Sequence, residues 1–377
     1  MARRIKRSLQ SDRLIKMYIT VLCKVVDNFG DIGTAWRLCR RLAKIQSKYK
    51  ICLVVDDLNA FSIISGKDPS VIASEATPPV IASEATWQSL FTDEIEIYPW
   101  NDSSLCNEVF SSNDGERLQI ILELFQCGRP DWMEKILFEA KLNRTVQVIM
   151  IDYLTAEKYA EDFHCLKSLT RSAKVQKVNF MPGFTEHTGG LVIDDEWKEL
   201  PPYNKDGPVL EFTYTTKCAY LDNKKLPYMP QTEWDKMMKQ CSVLFVRGEE
   251  SMSRACLSGI PFVWQAYPQS EEYQLVKVRA LLERMRPHFA TQDFEIVEKA
   301  WLAINGEGPF DRLRDHNTMG SLSLSKGLIN NDYPFSQFIS SVPRLVPAFQ
   351  DFALSLRKNG DLCTNLMTFI SKIVIMK

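Results

Sequence analysis

Apolar positions along this chain recur with two periods, and the two alternate. Residues 17–26 (MYITVLCKVV) form an apolar, β-branched run, the pattern of a buried strand. Ala35, Leu38, Cys39, Leu42 and Ile45 then recur at helical spacing and predict a helix over 34–46. Residues 51–55, 94–98, 118–125, 146–152 and 175–180 read as further strands. Between them, Pro130 at a first helical position and Thr155 as a cap before Ala156 predict helices. Strands alternating with helices predict a parallel sheet covered on both faces. A hinge candidate, GFTEHTGG at 183–190, is followed by Pro201, Pro202, Asn204, Asp206, Gly207 and Pro208. The pattern then restarts. Strands are predicted at 209–214, 241–246 and 261–265, with a helix from a Thr232 cap to Gln240. A further helix runs over 251–258 and is ended by Gly259. The organisation expected is a first domain over 17–195, a second over 205–345, and C-terminal helices over 346–377 returning to the first.

Two stretches stand outside the alternation. VIASEAT at 71–77 recurs at 80–86, too short a period for a solenoid, so 66–87 reads as a duplicated insertion in an exposed, mobile surface connection. Residues 1–16 carry six Lys and Arg against one Asp with no apolar core of signal-peptide type, and read as a disordered basic tail.

Composition narrows the function classes. The chain has 377 residues, 45% apolar and 25% charged, with a net charge of −1, so no global basic field points to nucleic acid. Its ten cysteines are scattered without a CxxC pair and read as buried thiols of a reducing, cytoplasmic compartment. The four histidines, 164, 187, 288 and 316, lack metal-ligand spacing, so no metal is expected. No apolar run approaches the ~18 residues that would span a bilayer, so no membrane partner is expected.

Candidate chemistry lies at two strand-to-helix turns. The first is DNFGDIG, 27–33, where Asp27 and Asp31 sit four apart and Gly30 and Gly33 are expected to free the backbone for a close ligand. In an open α/β sheet, ligands bind beyond the carboxyl ends of the strands, where this turn would lie. Strand ending by Asp27 and helix capping by Asp31 remain open as readings. The second turn is RGEES, 247–251. Free N–H groups at its helix start and a bidentate Arg247 would favour a phosphate, whereas Glu249 and Glu250 would suit hydroxyls. A nucleotide-sugar satisfies both signs; a surface Arg–Glu pair with acidic residues on the helix dipole is the alternative.

Three segments together, DNFGDIGTAWRL, GFTEHTGGL (183–191) and VRGEESMSRACLSGIPFVWQAYPQ (246–269), resemble the bacterial arginine rhamnosyltransferases that modify elongation factor P, the EarP family. The resemblance runs in order over 17–282 and more weakly beyond. It implies an inverting GT-B glycosyltransferase with two Rossmann-like domains facing across a cleft, moving L-rhamnose from dTDP-β-L-rhamnose to a loop arginine of elongation factor P without metal or other cofactor. By the same resemblance Asp27 and Asp31 match the family's motif aspartates, Asp31 being the proposed general base, and Glu249 its RGEDS glutamate. Donor phosphate and ribose contacts match Arg247, Ser251 and Tyr267, with Glu250 in place of the usual aspartate. The base-stacking aromatic and thymine-reading glutamine match Tyr228 and Gln231, and an F-x-Y pair matches Phe212 and Tyr214. A C-terminal helix at 363–375 matches the one that crosses back. The chemistry is consistent. Presenting a neutral guanidinium at pH 7 costs roughly 7–8 kcal/mol, and paired carboxylates can grip it and take its proton as the bond forms.

One departure affects the fold. Only thirteen residues (TTKCAYLDNKKLP) separate Tyr214 from Tyr228, too few for the family's further helix and strand. Either the donor domain has lost a βα unit, and then has fewer strands than the acceptor domain, or FTY is not the matching strand. A weakened or inactive member that only binds elongation factor P or nucleotide is the alternative function. A glycosyltransferase with a small-molecule acceptor fits DNFGD less well, and a dinucleotide oxidoreductase would need a GxGxxG after a strand, which is lacking.

Overall fold

The computed structural model describes residues 17–26, 29–66, 95–111, 113–214, 216, 218–306 and 334–375. The basic tail, the VIASEAT repeat, and Asp27 with Asn28 lie outside the described residues.

The first sheet has seven strands: β1 (Met17–Cys23), β2 (Tyr49–Val55), β3 (Ile95–Pro99), β4 (Ile120–Leu124), β5 (Val146–Ile151), β6 (Lys167–Ser168) and β7 (Val175–Asn179), in the order β3-β2-β1-β4-β5-β7-β6. All pairs are parallel except β6–β7. This is the doubly wound arrangement, and its order reverses between β1 and β4, so the turn after β1 falls at the switch point where such sheets bind ligands. Strand alternation sends Ile19, Val21 and Cys23 to one face and Leu22 to the other. On the first face lie α1 (Gly30–Ile45), α2 (Leu58–Ser65) and the C-terminal helix α11 (Leu362–Ile375). On the second lie α3 (Ser103–Ser111) and α4 (Asp131–Phe138).

The second sheet has five strands, in the order β10-β9-β8-β11-β12. Strands β8 (Val209–Glu211), β11 (Val243–Arg247) and β12 (Phe262–Gln265) are parallel; β9 (Tyr220–Leu221) and β10 (Lys224–Lys225) form an antiparallel hairpin on the edge of β8. Around it pack α6 (Gln231–Met238), α7 (Gly248–Ser258), α8 (Tyr273–Met285), α9 (Thr291–Ile304) and α10 (Phe335–Lys358). The sheet is thus shorter than the first, and among the described residues the span from Tyr214 to Tyr228 holds that hairpin and no helix. Two α/β sheets of this kind, joined by a crossing C-terminal helix, make a GT-B fold. The crossing is made by α11 alone: Phe349, Phe352 and Leu356 of α10 pack with the second sheet, whereas Leu362, Leu366 and Ile370 enter the first core.

Several local expectations shift. Pro130 is the N-cap of α4 rather than its first residue. Thr155 Oγ1 accepts from Glu157 N at 3.2 Å in a local turn, and the short helix α5 (Tyr159–Phe163) starts later. Thr232 lies inside α6, whose N-cap is Pro230. At α4 and α6 proline, which lacks an N–H and prefers extended backbone, marks the entry in place of a side-chain cap. Strand β8 stops at Glu211, leaving Phe212 and Tyr214 in the loop beyond it. Gly259 ends α7 in the left-handed conformation, φ 67°, as its position suggests.

Candidate functional site

The two sheets meet along a seam built on α1. Read at helical spacing, Arg37, Arg40, Arg41 and Lys44 form a basic stripe on that helix; Arg37 and Arg40 reach the second domain, whereas Arg41 and Lys44 pair with Asp195. Arg37 is 1% exposed. Its Nε donates to Glu250 Oε1 at 2.6 Å, its Nη1 to Asp194 at 2.6 Å and to Asp235 at 2.7 Å, and its Nη2 to Asp235 at 2.9 Å. Burial pushes the Arg37 guanidinium down, but Glu250, Asp235 and Asp194 outweigh it and hold it well above its ordinary value. Burial likewise pushes the Asp194 carboxyl up, and Arg37 and Arg254 bring it below the ordinary range. Arg41 donates to Asp361 at 3.0 Å, and Asp361 accepts from Thr364 N at 3.1 Å at the start of α11 and from Ile193 N at 2.9 Å. On the far side, Tyr273 Oη donates to Glu157 at 2.7 Å and Arg284 to Glu161 at 2.7 Å.

Between the sheets lies a cavity of ≈ 450 Å³. The second domain contributes Phe212, Tyr214, Tyr228, Trp234, Arg247, Glu250 and Ser251; the first contributes Phe29, Gly30, Gly33, Ile63 and Ile64. The starts of α1 and α7, neither with a side-chain cap, both face it, an arrangement that favours an anion. Arg247 Nη1 donates to Thr213 O at 3.1 Å, and the guanidinium lies 4.3 Å from the Phe212 ring centre and 5.0 Å from that of Tyr214. Gly248 starts α7 with φ 63°, the left-handed region that glycine tolerates, beneath the Tyr214 hydroxyl. Tyr228 is 73% exposed at the mouth, 5.0 Å from the Phe29 ring across the seam. Tyr267 does not line the cavity; it packs edge-on against Tyr214 at 5.3 Å.

A smaller cavity of ≈ 50 Å³ adjoins the first, and Gly30, Glu250 and Arg254 line both. Here Asp31 and Glu249 come together, one from each domain. Asp31 is 2% exposed, in the first turn of α1, and its Oδ2 accepts from Val26 N at 2.9 Å. That bond folds the chain after β1 back onto the helix start. Glu249 pairs with Lys277 at 3.4 Å. Opposite them, Phe125 and Tyr153 stack with ring centres 4.5 Å apart, and Asp152 accepts from Gln126 at 2.8 Å. Arg254 donates to Val192 O at 2.7 Å, and burial together with the nearby Arg37 charge lowers its pKa.

Two expectations change at this resolution of detail. Gly30 and Gly33 do not use positive φ; both are helical, and a Cβ at Gly33 would make only ordinary contact with Gln231 Nε2, at 3.5 Å. Gln231 and Glu250, matched to donor contacts, are bonded across the seam as well. Gln231 Nε2 donates to Gly33 O at 2.8 Å and Glu250 at 3.0 Å, while its Oε1 accepts from Arg40 at 2.7 Å. The longer Glu250 side chain reaches Arg37. Sequence reasoning missed the seam cation Arg37, the cavity ring Trp234 and the Phe125–Tyr153 pair. The basic stripe was a visible signal for Arg37; nothing local marked the aromatics, which meet only through the fold.

The chain is similar to known proteins across both domains. A family profile described as Elongation-Factor P (EF-P) rhamnosyltransferase EarP matches residues 19–207 and 203–371, so both domains are covered. A protein-arginine rhamnosyltransferase of Shewanella oneidensis is 26% identical over 363 residues, spanning 76% of this chain and 84% of that one. One of Pseudomonas aeruginosa is 26% identical over 353 residues, 76% and 87% of the two chains, and one of Neisseria meningitidis 25% over 348 residues, 76% and 83%. With matches across both sheets and the seam between them, the chain belongs to the EarP family of elongation factor P rhamnosyltransferases.

Proposed function

We propose that the chain is an inverting glycosyltransferase that moves L-rhamnose from dTDP-β-L-rhamnose onto an arginine side chain of elongation factor P. The observation that carries this reading is the adjacency of the two cavities, which share Gly30, Glu250 and Arg254 in their walls. An aromatic, cationic cavity between the domains lies beside a smaller one lined by Asp31 of the first domain and Glu249 of the second.

In this reading the nucleotide-sugar lies in the larger cavity with its base among Phe212, Tyr214 and Tyr228, and its diphosphate toward Arg247, Ser251 and the start of α7. Asp31 removes a proton from the attacking guanidinium nitrogen as that nitrogen bonds to the anomeric carbon. The anomeric C–O bond breaks with its electron pair going to the β-phosphate, and dTDP leaves from the opposite face, which inverts the centre. A carboxylate positioned to take the proton as the bond forms avoids the cost of a free neutral guanidine. Arg247 and the helix start stabilise the charge that builds on the leaving diphosphate. Glu249, beside Asp31, orients the reacting groups, and Asp27 helps to hold the acceptor guanidinium. The reaction assigns no step to a metal, so turnover is expected to survive EDTA. As the modifier of a translation factor the protein would work in the cytoplasm.

The test is release of dTDP from dTDP-β-L-rhamnose by the purified chain. Release that depends on folded elongation factor P supports the reading; no release, or equal release without the acceptor, contradicts it. Nucleotide binding with no release would favour a binding-only member, the outcome that the short second sheet makes worth measuring.

A further inference from the structure

The short segment between Tyr214 and Tyr228 adds a wall to the larger cavity. The hairpin β9–β10 is held firmly: Leu210 pairs with Leu221, Glu211 with Tyr220 and Tyr220 with Lys225, and Leu226 N donates to Ala219 O at 2.8 Å. Its two-residue turn, Asp222-Asn223, has φ 46° and 67°, the primed turn that suits tight hairpins, and Asp222 Oδ1 accepts from Val209 N at 2.9 Å. Past the turn the chain runs along the cavity, and Lys225 through Met229 line it without a gap.

Charge around that cavity is lopsided. Among the described residues its cations are Arg247, Arg254 and Lys225, and its one lining carboxylate, Glu250, is already bonded to Arg37. Lys225 is exposed and has no ion pair or hydrogen bond among the described residues, unlike Arg247, which is held by Thr213 and two rings. A hydrated ammonium on a rigid hairpin at the edge of an anion-favouring cavity has one obvious use.

We propose that Lys225 is a further donor-binding residue, contacting the diphosphate of a nucleoside diphosphate sugar from the hairpin wall; this rests on the donor assignment made above. Lys225 reaches the phosphate oxygens with a flexible stem and three donors, whereas Arg247 offers a fixed fork. Lys224, the next residue, points to the other side of the strand and does not line the cavity.

The test is calorimetry of the full chain with dTDP, comparing wild type, Lys225→Gln, Lys225→Arg and Lys224→Gln at two salt concentrations. Loss of one charge-assisted contact should raise the Kd of Lys225→Gln about tenfold and flatten its salt dependence. Lys225→Arg should stay near wild type, and Lys224→Gln should match it. A Lys225→Gln Kd within about twofold of wild type overturns the proposal, as does a loss with wild-type salt dependence, which would reflect packing. If wild type itself binds no dTDP, the donor assignment falls and this inference falls with it; tight wild-type binding with an indifferent Lys225→Gln removes this inference alone.

Discussion

At the scale of single residues, the account turns on Asp31. Its carboxylate is buried at a helix start and faces the small cavity. Asp31→Asn keeps an acceptor for Val26 N but cannot take a proton. Single-turnover transfer should fall by about 10²–10⁴, toward the upper end because guanidinium resists deprotonation, with dTDP affinity unchanged. Retention of more than about a tenth of wild-type turnover would pass the role to Asp27 or Glu249. Arg247→Lys keeps the charge but loses the planar fork held over Phe212 and Tyr214. Its dTDP affinity should drop about tenfold by calorimetry, and an unchanged Kd would place Arg247 outside the site. Most of these residues were legible in the sequence because each belongs to a short motif at a strand end. Tyr267 stands behind Tyr214 rather than in the cavity lining, a distinction that sequence order does not carry.

At the scale of elements, the seam is where sequence and structure part. Alternating periods predicted the longer strands and the helices after β1, at Pro130 and after the second-domain turns, but not the two-residue strands or the helices over 58–65, 103–111, 273–285 and 291–304. No local pattern could show that Arg37 of α1 would meet carboxylates from three distant stretches. Removing one partner of such a buried network leaves the others uncompensated, so Arg37→Met should cost about 3–5 kcal/mol in denaturant unfolding. The seam should also respond to acid. The folded-state pKa of Asp194 lies below its ordinary value. Its contribution is therefore complete above the unfolded value of about 3.9 and is lost as pH falls through the lower folded one. Stability measured from pH 7 down to about pH 3 should accordingly fall less steeply in Asp194→Asn than in wild type. An equal acid limb in both would show that other carboxylates govern it. Helix α11 is the other seam element: Leu366 is fully buried in the first core, and Leu366→Ala should lower stability by about 2–5 kcal/mol.

At the scale of the whole molecule, two sheets of unequal size flank two adjoining cavities. The count of residues between Tyr214 and Tyr228 was enough to foresee the smaller second sheet. It could not foresee that a hairpin would line the cavity there, because a two-residue turn is decided by Asp222 and Asn223 together with the edge of β8. A site shared between domains explains why the cavity walls, the seam and the returning helix are built from residues so far apart in the chain. The most direct measurement of the central claim is tandem mass spectrometry of elongation factor P after incubation with the chain and dTDP-β-L-rhamnose. The account predicts a single deoxyhexose increment on one arginine, present with wild type and strongly reduced with Asp31→Asn. An unmodified elongation factor P, or a sugar on a residue other than arginine, would contradict it.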